Sequence, residues 1–150
     1  MNNLSFSKKD DLKKFLKGEK FKKILIISGD KSFNSSGANK LFEDVLDIKK
    51  VEFYFKKFAV PNHTELKDII TFIKNYSPDL IIAVGGGSVL DYAKIANTLT
   101  ESTNLKEELI NSTYKVKKYT KLVAIPTTAG SGAEVTSNAV IYVDKIKYSV

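Results

Sequence analysis

The stretch Leu80-Ile81-Ile82-Ala83-Val84-Gly85-Gly86-Gly87-Ser88-Val89-Leu90-Asp91-Tyr92-Ala93-Lys94 decides how the chain folds. Its first five residues are apolar without alternation, the pattern of a strand buried on both faces. Three glycines and a serine interrupt the run. From Val89 to Leu99 the apolar residues return at helical spacing, with Leu90, Ala93 and Ala96 on one stripe. Strand, tight turn and helix follow one another.

The same alternation extends in both directions. Upstream, Pro61-Asn62-His63-Thr64-Glu65 opens a helix that Asn62 can cap, and Glu65 three residues on completes a capping box. Leu66, Ile69, Ile70 and Ile73 give that helix a core face. Val51 to Phe55 alternates as a strand does, and residues 35–46 put Leu41, Phe42, Val45 and Leu46 on one helical stripe. Lys23 to Ser28 is a buried strand stopped by Gly29-Asp30. Leu12, Phe15 and Leu16 suit a short amphipathic helix, with Ser7 near its N-cap and Gly18 past its end. Downstream, residues 100–120 form a polar loop with a short helix around Leu105 to Ile110. Lys121 to Ile125 is another strand, and Ala139 to Val143 pairs with Lys147 to Val150 around Asp144-Lys145. The order predicts an α/β fold: a parallel sheet with helices on both faces, plus a β-hairpin near the C-terminus.

Size and composition narrow the function classes. The 150 residues, 43% of them hydrophobic and 27% charged, make one globular domain with a real core. The longest apolar runs have strand length, far short of the roughly 20 residues that a bilayer demands. There is no cysteine, so neither a disulfide frame nor a thiolate metal site is available. The N-terminus lacks the apolar stretch of a signal peptide, and a cytoplasmic location is expected. Of the net charge of +7, residues 1–23 supply +5. All 24 basic residues are Lys, whereas base reading in the major groove leans on the fork of Arg, so a solvated helix face is expected and nucleic acid is not.

On a parallel sheet, ligands bind beyond the carboxyl ends of the strands. Gly29-Asp30, Gly85 to Ser88, and Thr127 to Gly132 all fall there. Consecutive glycines let backbone approach a ligand, and the helix that follows presents unpaired N–H groups to phosphate. A plain tight turn is the alternative for Gly86, Gly87 and Ser88. Asp91 either complements the helix dipole or meets the ligand. Pro126 holds Ile125 extended, and beyond it Thr127, Thr128 and Ser131 offer three hydroxyls spaced by small residues, as a cradle or as a surface turn.

Gly85-Gly86-Gly87-Ser88-Val89-Leu90-Asp91-Tyr92-Ala93-Lys94, followed by Ile125-Pro126-Thr127-Thr128-Ala129-Gly130-Ser131-Gly132-Ala133-Glu134-Val135-Thr136, resembles the N-terminal domain of the iron-containing (group III) alcohol dehydrogenase family. Ser28-Gly29-Asp30 and Val60-Pro61-Asn62 resemble its smaller signatures, and the likeness spans roughly residues 20–150. The resemblance implies a Rossmann-like domain that holds NAD, with NADP as the alternative, and a separate helical domain that holds a divalent metal, Fe or Zn. It implies that Asp30 contacts the adenosine ribose and that Asn62 lies on the adenine side. Gly86, Gly87 and Ser88 would hold the pyrophosphate, with Asp91 further along the groove. Thr127, Thr128, Ser131, Thr136 and Asn138 would line the other wall, and Lys147 would reach a ribose hydroxyl. Lys94 is left without a role.

Members of that family hold their metal with one Asp and three His. This chain has one histidine, His63, expected as an ordinary surface residue, so no metal site can be assembled from it. The 150 residues are therefore expected to be the cofactor half of a two-domain alcohol dehydrogenase or aldehyde reductase, inactive alone. Its partner would be a small alcohol or aldehyde, its assembly a homodimer. The segment Tyr142 to Val150 is similar to members that reduce phosphonoacetaldehyde. A glycerol dehydrogenase or dehydroquinate synthase type of NAD enzyme, and a nucleotide-binding module without catalysis, are the alternatives.

Overall fold

The structure, a computed structural model, describes residues 9–18, 21–46 and 50–150. Strands β1 (Lys23–Ser28), β2 (Lys50–Phe55), β3 (Leu80–Gly85) and β4 (Lys121–Pro126) form a parallel sheet in the order β2-β1-β3-β4. Helix α1 (Lys9–Gly18) precedes the sheet. Helices α2 (Asp30–Ser35) and α3 (Ala38–Leu46) link β1 to β2, α4 (His63–Tyr76) links β2 to β3, and α5 (Gly87–Thr98) and α6 (Leu105–Asn111) link β3 to β4.

Alternate side chains of the central strands leave on opposite faces, and each face is covered. Leu25, Ile27, Ile81 and Ala83 pack with Leu66, Ile69 and Ile73 of α4 and Leu90, Ala93 and Ala96 of α5. Ile24, Ile26, Leu80, Ile82 and Val84 pack with Leu12 and Leu16 of α1, Phe33 of α2 and Phe42 of α3. This two-sided burial is why β1 and β3 read as unbroken apolar runs.

From β1 the chain steps outward to β2, then returns to lay β3 on the other side of β1. The direction of winding reverses between β1 and β3. The crevice beyond their carboxyl ends is the place where such a sheet receives a ligand. Strands β5 (Val140–Val143) and β6 (Ile146–Ser149) make the expected antiparallel hairpin. Asp144 and Lys145 turn it with φ of 47° and 69°, the left-handed pair of a type I′ turn.

Residues 35–46 do not form one helix. Gly37, at φ +74°, divides α2 from α3, and α2 starts directly after the extended Gly29. The short helix holds because Phe33 is buried against Phe42, with ring centroids 6.3 Å apart. The expected cap at Ser7 and the side chains of Val45 and Leu46 lie outside the described residues.

Candidate functional site

Three strand ends are tied together at the crevice. The buried Ser28 hydroxyl donates to the Val84 carbonyl at 2.6 Å, joining β1 to β3. The Thr127 amide donates to the Gly85 carbonyl at 3.0 Å, joining β4 to β3. Gly86 then caps α5 in extended conformation, its carbonyl accepting from the amides of Val89 at 3.0 Å and Leu90 at 3.3 Å. No side chain caps this end of the helix, so its first N–H groups and the positive end of its dipole face the crevice.

The loop after β4 lies directly on the glycines. A Cβ on Gly86 would stand 3.0 Å from Thr128 Oγ1, and one on Gly87 would stand 3.4 Å from Ser131 Cβ. A side chain at Gly86 would press on Thr128, and one at Gly87 would just touch Ser131. The hydroxyls of Ser88, Thr127 and Thr128 make no hydrogen bond among the described residues, while Ser131 Oγ accepts from the Ala133 amide at 3.4 Å. Unspent hydroxyls, small residues and a helix N-terminus suit an anionic, phosphate-bearing ligand.

One turn along α5, Asp91 and Lys94 form a mostly covered ion pair, 3.5 Å apart, with side chains 15% and 16% exposed. The Lys94 ammonium also donates to the Asn138 carbonyl, to the Thr136 carbonyl at 3.4 Å and to Thr136 Oγ1 at 3.5 Å. Asp91, Thr136 and Asn138 are thereby gathered around a residue that sequence reasoning left unassigned. The i, i+3 spacing of Asp91 and Lys94 was the available signal.

Asn62 performs the expected cap, its Oδ1 accepting from the Glu65 amide at 2.9 Å. The reciprocal half of the capping box is absent. The Asn62 amide donates instead to the hydroxyl of Tyr92 at 2.8 Å, and the buried Glu65 carboxylate accepts from the amides of Lys57 and Phe58. Burial raises the Tyr92 pKa above its ordinary value, against the Asn62 amide that lowers it, and the nearby Glu65 carboxylate raises it further. In the sequence Tyr92 stands only as one residue of the Gly85–Lys94 motif, with no signal for this bond.

Asn62 also bridges to Tyr142 of β5, which pairs with Lys147 of β6. Lys147 thus stands two strand spacings from Asn62, roughly 9 to 10 Å. Asp30 joins neither cluster. It is exposed on the first turn of α2, beyond the end of β1.

Residues 6–150 match the family model described as iron-containing alcohol dehydrogenase. The chain belongs to that family. It is 34% identical over 99 residues to an alcohol dehydrogenase of Thermococcus barophilus, an alignment that covers 61% of this chain and 26% of the relative. It is 32% identical over 133 residues to the bifunctional aldehyde-alcohol dehydrogenase of Escherichia coli, covering 80% of this chain and 15% of that one. The chain thus spans about a quarter or less of these relatives' length. Among solved structures, the iron-containing alcohol dehydrogenase from Thermotoga maritima superposes with a TM-score of 0.73 at 28% identity, over 85% of this chain and 36% of that one. The sulfoacetaldehyde reductase from Bifidobacterium kashiwanohense, solved in complex with NAD+, has a TM-score of 0.82 at 21% identity, over 97% and 39%. That second likeness shows the shared fold.

Among the described residues, no group of three or more His, Cys, Asp or Glu side chains gathers to hold a metal ion. His63 sits half-buried at the start of α4. No helix among them is long and apolar enough to cross a membrane.

Proposed function

We propose that residues 1–150 are the dinucleotide-binding domain of a longer, two-domain NAD(P)-dependent alcohol dehydrogenase or aldehyde reductase. The observation that carries this reading is the seating of Thr128 on Gly86 and of Ser131 on Gly87, at an uncapped helix N-terminus beyond the point where the sheet reverses its winding.

In this reading the amides at the start of α5 and the Ser88 hydroxyl bind the diphosphate, with Thr127, Thr128 and Ser131 on the facing wall. Asp91, Thr136 and Asn138 line the groove further along, Asn62 borders the adenine side, and Lys147 reaches a ribose hydroxyl. Asp30 accepts from the adenosine ribose, and its charge opposes the extra phosphate of NADP, which favours NAD. Lys31 beside it softens that preference. When bound, the nicotinamide supplies hydride exchange between an alcohol and its aldehyde. The residues described here do not fit the metal of the family, and a second domain is assigned that task. Phosphonoacetaldehyde is the narrower substrate proposed, and a survey of aldehydes with the whole enzyme tests it. Preference for an uncharged alkyl aldehyde would reject it.

A fluorescence titration with NADH tests the domain itself. Ser88→Ala and Thr128→Val are each expected to weaken binding about five- to tenfold by deleting one direct hydrogen bond. Unchanged affinity in both variants would contradict the assignment. Asp30→Gly is expected to narrow the gap between NADH and NADPH, and equal affinities in the parent would remove Asp30 from the account.

A further inference from the structure

We propose that Lys94 is a positioning residue that sets the far wall of the nucleotide groove. The inference rests on the dinucleotide reading and goes beyond it, because Lys94 itself stands back from the ligand.

The segment from Glu134 to Asn138 is exposed and carries no regular structure. Its own backbone bonds run from the amides of Val135 and Thr136 to the Gly132 carbonyl, which closes a turn without fixing that turn to the domain. Among the described residues, the hydrogen bonds that tie Thr136 and Asn138 to the rest of the molecule come from Lys94, through two carbonyls and one hydroxyl. An ammonium group has three N–H donors and no acceptor. It therefore matches a cluster of oxygens, and Asp91 on the same helix face balances its charge at 3.5 Å. With its side chain 16% exposed, Lys94 has little choice of conformation.

The anchor has a definite origin. Lys94 lies seven residues, two turns, beyond Gly87 on α5, so one rigid helix carries both the diphosphate turn and the clamp. The separation between the glycine turn and the wall at Thr136 and Asn138 is then fixed by helix geometry rather than by the loop. Asp30 lies on the β1 side of the turn, and the chain from Thr127 to Asn138 leaves from β4 on the other side. A dinucleotide whose diphosphate sits on the turn sends one half to each side. Lys94 should matter for the half beyond the diphosphate and not for ADP, which ends at the turn.

The test compares NADH and ADP affinities of the parent chain with those of Lys94→Met, Lys94→Gln and Lys94→Arg. Lys94→Met is expected to bind NADH about tenfold more weakly, with ADP affinity held within about twofold, and Lys94→Arg to recover to within about threefold of the parent. Lys94→Gln, which keeps a donor without the charge, is expected between Met and Arg, and it carries the test should the Met variant fail to fold. NADH binding unchanged in both Met and Gln, or NADH and ADP affinities falling together, would overturn the role of Lys94 and leave the dinucleotide reading standing. A parent chain that binds neither nucleotide would overturn both.

Discussion

A methyl group on Gly85 would lie 2.6 Å from Val89 Cγ2, inside the core, whereas one on Gly86 would meet Thr128 Oγ1 at 3.0 Å on an exposed loop. The two substitutions should therefore fail in different ways. Gly85→Ala is expected to cost about 1–3 kcal/mol of stability in urea unfolding, as overpacked cores do. Gly86→Ala should keep most of the stability, because the loop can yield, while NADH affinity drops as Thr128 is displaced. Equal melting temperatures for Gly85→Ala and the parent would show that Val89 is free to move. Tyr92→Phe removes the acceptor of the Asn62 amide and leaves that donor without its partner, and is expected to cost about 1–3 kcal/mol. Burial, then the charges of Glu65 and Asp68, push the Tyr54 pKa up to about 12. A raised folded pKa means stability that is complete below the unfolded value of 10 and is lost as pH rises through the folded one. Phenolate absorbance should show Tyr54 and Tyr92 still protonated well above pH 10, and complete ionisation of all seven tyrosines by about pH 10 would contradict this.

Helix α6 illustrates the opposite sign. Glu108 accepts from the amides of Asn104 at 3.1 Å and Thr103 at 3.2 Å, so it caps its own helix. The Asn104 amide above all, with the Thr103 amide beside it, holds its pKa below the ordinary 4.5. A depressed carboxylate contributes stability above its unfolded value, and that contribution disappears as pH falls through the folded one. The Lys106–Asp144 pair, 2.7 Å apart, links α6 to the hairpin and lowers the Asp144 pKa in the same way. Acidification is expected to loosen α6 before the sheet, seen as earlier loss of amide-exchange protection at Leu109 than at Ile82. Equal loss at both would contradict it. Strands β1 and β3 were legible because burial on both faces writes an unbroken apolar run. Helix α2 was not, since Asp30 to Ser35 contains one apolar residue, Phe33, whose partners Phe42, Phe53 and Phe55 come from other elements. The cap at Asn62 was legible because it is local. The clamp at Lys94 and the hydroxyl of Tyr92 depend on partners 30 or more residues away along the chain.

Taken whole, the chain is a four-stranded parallel sheet with both faces covered and the candidate binding residues along one edge. Two glycine contacts, one helix and one hairpin gather those residues from Asn62 to Lys147. Asp30 approaches from the β1 side, where its exposure leaves it open to a ligand. Membership of the iron-containing alcohol dehydrogenase family covers nearly the whole chain, and the role proposed for this part is the holding of the nucleotide rather than the chemistry at the substrate. NADH is therefore expected to raise the melting temperature of the chain, by an amount that grows with the logarithm of its concentration above Kd. The most direct test is an amide-resolved NMR titration of the isotopically labelled chain with NADH. The account predicts that the signals of Gly86, Gly87, Ser88, Thr127 and Thr128 move together along one saturation curve. Saturable shifts confined to other regions, with those five amides unmoved, would contradict it.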